Sequence, residues 1–122
     1  MPRILVVDDE FDVVRMIERA LEARGYTVEI ARDGEAALAA VARACPDLVI
    51  LDANLPRLSG HAVAKRLRAD PETRLLPIVL MSAAYVSLAD AEAAGGADEI
   101  VMKPFVRETL LRNVERLLKP AP

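Results

Sequence analysis

One cysteine, no tryptophan and an aromatic share of 3% leave this 122-residue chain with little of what staples or anchors a small domain. A lone thiol, Cys45, cannot close an internal disulfide or build a cysteine-based zinc site, and it reads as a small, partly buried filler. With so few rings, the core must come from Val, Leu, Ile and Ala. The 53% hydrophobic content supplies enough of them for one domain. No apolar run reaches the ~18 residues of a membrane-crossing helix. The start, MPRILVVDDE, lacks the basic, apolar and small-residue segments of a secretion signal. A cytoplasmic location is therefore expected. The net charge of -3 comes from 16 basic and 19 acidic residues spread along the chain. Without a basic stripe, direct contact with nucleic acid is not expected.

The apolar residues that are present form short runs. Ile4–Val7, Leu48–Leu51 and Ile78–Met81 are apolar at every position, as in parallel strands buried on both faces. Thr27–Ile30 alternates and fits a half-exposed strand near a sheet edge. Ile100–Met102 is a last strand, ended by Lys103-Pro104. Val13, Met16, Ile17, Ala20 and Leu21 recur at helical spacing after the first run, with Gly25 as a stop. Asp33 can cap a helix carrying Ala37, Leu38 and Val41, which Pro46 ends. Val63 and Leu67 mark a short helix after Gly60. The Ala-rich stretch 87–94 predicts a fourth helix, and Leu110, Leu111, Val114, Leu117 and Leu118 stripe a fifth. Met16, Met81 and Met102 are expected in the core, and His61 on the surface or in a packing role. Strand and helix alternate five times. The expected fold is α/β: a doubly wound parallel sheet in the flavodoxin-like order 2-1-3-4-5, with helices on both faces. One domain over 1–119 is expected, with 120–122 a tail or the start of a linker.

The polar residues fall at particular places in this pattern. Asp8 and Asp9 follow the first strand, Asp52 ends the third, Ser82 the fourth, and Lys103 the fifth. In a parallel sheet these ends lie on one edge, beside the switch point where ligands bind. Any one of them could be a helix cap or a loop residue. Together they predict a pocket. Three carboxylates in one cleft repel each other unless a cation joins them. Oxygen ligands beside an anionic substrate suit Mg²⁺. Lys103 offers a point charge and Ser82 a hydroxyl donor for phosphoryl oxygens. Asp52 is then a plausible nucleophile that would carry an acyl phosphate.

The segments ILVVDDE (4–10), LVILDANLPRLSG (48–60), PIVLMSA (77–83) and ADEIVMKPF (97–105) make the chain resemble response regulator receiver domains from end to end. The D-x-x-x-P-x-x-x-G spacing of Asp52, Pro56 and Gly60 contributes to that likeness. The resemblance implies that Asp52 takes a phosphoryl group from a phosphohistidine on a sensor histidine kinase or phosphotransfer protein. It implies direct Mg²⁺ binding by Asp9, mainly water-mediated binding by Asp8, and a ligand from the Asn54 carbonyl. It also implies phosphoryl contacts from Lys103 and Ser82, and a cis Lys103-Pro104 bond.

Ile100 stands where relatives often carry an aromatic switch residue. Asn54 and the small Ala84 leave room for an attacking water, so slow self-dephosphorylation is expected. The face formed by the 87–94 helix, the fifth strand and the last helix is the expected output surface, for a protein effector, a fused output domain or a homodimer partner. Such a domain modifies only itself and is not an enzyme in the ordinary sense. Two rival classes remain. A receiver-like binding module would work without phosphate. A haloacid-dehalogenase-like phosphatase would need an acid where Asn54 stands. A nucleotide-binding domain would need a Gly-rich loop after the first strand, which is missing.

Overall fold

The computed structural model describes residues 2–83 and 96–118. Five strands form one parallel sheet in the order β2-β1-β3-β4-β5, as expected. They are β1 (Arg3–Val7), β2 (Thr27–Ala31), β3 (Leu48–Asp52), β4 (Ile78–Ser82) and β5 (Glu99–Met102). The described helices are α1 (Phe11–Ala23), α2 (Gly34–Arg43), α3 (Gly60–Ala69) and α4 (Arg107–Leu118). The helix expected at 87–94, Ala84 and the tail at 120–122 lie outside the described residues.

Alternation along the strands divides the core into two layers. Leu5, Val7, Val49, Leu51, Ile78 and Leu80 point to the face covered by α2 and α3, through Ala37, Val41, Val63 and Leu67. Ile4, Val6, Ile50, Val79, Met81 and Val101 point to the other face. There Ile17, Leu21, Leu110, Leu111 and Val114 of α1 and α4 cover them. This is why β1, β3 and β4 carry no polar alternation. Both of their faces are interior, whereas β2, at one edge, is only partly buried.

Local signals set the ends of the elements. The Asp33 side chain accepts from the Ala36 N–H at 2.7 Å and caps α2. The Ser59 hydroxyl accepts from the Ala62 N–H and caps α3 in the same way. Gly25 takes a φ of 90° just after α1, a conformation that disfavours any side chain.

Three packing expectations are corrected. Met16 and Met102 are exposed, and only Met81 is core. The buried stripe of α1 is rotated toward Val14, which with Ile17 and Leu21 faces the sheet, so Met16 falls at its margin. Met102 is the last residue of an edge strand and is 40% exposed. Cys45 is also exposed, because it follows the end of α2 on the surface, with its thiol 3.5 Å from the Pro46 carbonyl.

Candidate functional site

The carboxyl ends of β1, β3 and β5 bring three of the predicted residues into contact. The Lys103 ammonium donates to Asp8 at 3.0 Å and to Asp52 at 3.3 Å. The Asp8 side chain is wholly buried and that of Asp52 nearly so, while Lys103 reaches them from the β5 end. The strand register explains the convergence. Val7 pairs with Leu51 between β1 and β3, so Asp8 and Asp52 leave adjacent strands at the same level.

The loop after β3 is built to hold Asp52 still. The Ala53 N–H donates to the Met81 carbonyl, and the Gly60 N–H returns to the Ala53 carbonyl at 3.0 Å. A Cβ on Gly60 would stand 2.1 Å from the Asp52 carbonyl oxygen, so only glycine permits this approach. The Asn54 N–H donates to the Asp52 carboxylate at 3.1 Å. On the other side, the Asp8 carboxylate accepts from the Glu10 N–H at 2.9 Å.

Ser82 ends β4 and is buried, and its carbonyl accepts from the Lys103 N–H at 2.7 Å, which ties the ends of β4 and β5 together. The Lys103-Pro104 bond is cis. Ile100 is partly buried and packs against the α2–α3 side of the core. His61 is half-buried at the start of α3, in a packing position.

A carboxylate absent from the sequence expectation joins the group. Glu10 lies 3.6 Å from the Lys103 ammonium, and Asp8, Glu10 and Asp52 each offer an oxygen within 4.8 Å of the others. Asp9 is exposed and is not part of that trio as arranged. The signal for Glu10 was its position two residues after Asp8, where the chain turns into α1.

The charges act on one another. Burial pushes the Asp52 carboxyl above its ordinary 3.8; the Asn54 N–H opposes this, Asp8 adds to it, and Lys103 opposes it. Burial alone would lower the Lys103 ammonium. Its hydrogen bond to Asp8 and the negative charges of Asp8 and Asp52 outweigh that and carry it above 10.5. A partly dehydrated carboxylate is thus fixed beside a firmly protonated lysine. Three convergent carboxylate oxygens form a hard-donor set that fits a small divalent cation.

Fold and site together define an α/β protein with carboxylates and a lysine at the switch point of a doubly wound parallel sheet. The family model for the response regulator receiver domain matches residues 4–115, and the chain belongs to that family. Response regulator MprA of Mycobacterium leprae is 42% identical over 118 residues, covering 96% of this chain and 51% of that protein. The chain spans about half the length of the curated relatives it matches. The chemotaxis response regulator CheY4 of Vibrio cholerae superposes with a TM-score of 0.89 at 33% identity, covering 97% of this chain and 99% of that one. The receiver domain of NtrX from Brucella abortus gives 0.85 at 34%, with coverage of 97% and 99%. Among the described residues no helix is long and apolar enough to cross a membrane.

Proposed function

We propose that this receiver domain accepts a phosphoryl group on Asp52 from a phosphohistidine of a sensor kinase or phosphotransfer protein, in a Mg²⁺-dependent reaction. The observation that carries the reading is the Lys103 ammonium bridging Asp8 and Asp52 at the switch point. In the transfer, an Asp52 carboxylate oxygen bonds to phosphorus as the phosphorus–nitrogen bond breaks, and the electron pair leaves with the histidine. Phosphoryl transfer needs in-line placement and charge neutralisation more than covalent help. Asp52 is held by the Asn54 N–H and its closed loop. Lys103 is free to exchange a carboxylate for a phosphoryl oxygen, and the Ser82 hydroxyl is the second phosphoryl donor.

Asp8, Asp9, Asp52 and the Asn54 carbonyl would hold the Mg²⁺, with Glu10 at the margin. Bound there, the ion would offset the repulsion among the carboxylates and the incoming oxygens. The small residue type at Ala84, with Asn54, would favour slow loss of the phosphoryl group to water. A bulky replacement of Ala84 should lengthen its lifetime. The new charge on Asp52 would draw Ser82 and Lys103 toward it and change the surface around 87–94, β5 and α4. Ile100 would serve there without an aromatic rotation. That surface would serve an effector, a fused output domain or a second copy, and the domain would act in the cytoplasm as a switch, not as an enzyme. The greater length of the relatives supports a fused output domain.

The test is intact mass after exposure to acetyl phosphate and Mg²⁺. Wild type should gain one phosphoryl group and Asp52→Asn none. An unmodified wild type would point to a phosphate-independent binding module.

A further inference from the structure

Phe11 opens α1 one residue after Glu10, and the residue is 55% exposed. Two guanidinium groups lie over its ring. Arg15, one helical turn on, lies 5.6 Å from the ring centroid, and Arg32, just past β2, lies 5.7 Å from it. The end of β2 is pinned beside the site, because the Asp8 N–H donates to the Ala31 carbonyl. Neither arginine forms an ion pair among the described residues, although the neighbouring sequence holds Asp9, Asp12, Asp33 and Glu35. Stacking on a ring restrains a guanidinium without cancelling its charge.

We infer that Arg15 and Arg32, clamped on Phe11, form a cationic rim that draws anionic phosphodonors toward the acidic pocket. The inference rests on the proposed phosphorylation of Asp52. Asp8, Glu10 and Asp52 set a negative floor that Lys103 partly offsets. A phosphoryl donor brings further negative charge, so its approach is opposed before it reaches the centre. Arg15 and Arg32 place two positive charges on the ring next to Glu10, where they act through solvent with a screening length of about 8 Å in physiological salt. The rim positions and concentrates the donor and takes no part in bond making. With acetyl phosphate, the bond from phosphorus to the acetyl oxygen breaks, acetate leaves, and the Asp52–phosphorus bond forms whether or not the rim is present.

The rim therefore discriminates by donor charge. Acetyl phosphate is a dianion near neutral pH, whereas phosphoramidate, protonated on nitrogen, carries one negative charge less. The experiment measures second-order phosphorylation rates with both donors in saturating Mg²⁺ for wild type and the Arg15→Ala/Arg32→Ala double variant. Circular dichroism confirms that the variant is folded. At low salt the variant should lose about threefold or more with acetyl phosphate and distinctly less with phosphoramidate. The gap between the proteins should close at about 0.5 M NaCl, where fields across solvent are screened. An equal loss with both donors at every salt concentration would overturn the inference, as would no loss at all. If wild type itself gained no phosphoryl group, the reading of Asp52 would fail. If wild type reacted but showed no dependence on donor charge, only the rim would fail.

Discussion

Asp52 carries two opposing demands in one carboxyl group. The proposed phosphoryl transfer requires it ionised, yet burial and Asp8 favour its neutral form. Its folded value is raised above 3.8, so the folded state binds its proton more tightly than the unfolded chain does. The resulting penalty is absent in acid below about 3.8, grows as pH rises through the folded value, and stays constant above it. Asp52→Asn removes the penalty. Without divalent ions the variant should melt above wild type at neutral pH, and the gain should shrink as the pH is lowered toward that limit. Melting curves of both proteins across that range in EDTA provide the check. Lys103 has the opposite linkage: its raised value means that its stabilising contribution holds below 10.5 and is lost as pH rises through the folded value.

Loops and strand ends, rather than strand interiors, decide whether the pocket is in place. The loop from Ala53 to Ser59 depends on Gly60 meeting the Asp52 backbone, and a methyl group there would collide with main chain that cannot rotate away. Gly60→Ala should cost about 3 kcal/mol, at the upper end of overpacking, and should slow phosphorylation as well because the collision displaces Asp52 itself. Urea denaturation and the acetyl phosphate rate measure the two effects. At the opposite edge of the sheet, Arg68 on α3 donates to the carbonyls of Gly96, Arg74 and Leu76 and to the Asp98 carboxylate. Asp98 in turn accepts from the Ile78 N–H at 2.8 Å. Arg68→Ala leaves several of these acceptors unpaired and should cost about 2 kcal/mol. Faster amide exchange at Ile78 should accompany it, and an unchanged rate would mean that Asp98 holds the start of β4 unaided.

Across the whole molecule, the two-sided core supplies rigidity while the acidic end of the sheet works against it. A cation that binds only the folded chain should then stabilise the entire domain by mass action. At a Mg²⁺ concentration one hundred times its Kd the gain is about 2.7 kcal/mol, visible as a higher Tm that EDTA reverses. A Tm indifferent to Mg²⁺ would remove the metal from the account. The order of elements, the identity of the buried strands and the edge on which Asp8, Asp52, Ser82 and Lys103 meet were all legible in the chain, because hydrophobic period and strand-end position are properties of consecutive residues. Helix faces were less legible. Val13 and Val14 both satisfy a helical stripe, and only packing against the sheet chose Val14 and left Met16 outside. Glu10 entered the pocket, and Arg32 joined Arg15 over the Phe11 ring, through contacts between strands and helices that no local pattern encodes. Sequence alone thus determined which residues end the strands. The tertiary structure decided which side chains at those ends touch, since that depends on the register between strands and the angle at which each helix leaves them.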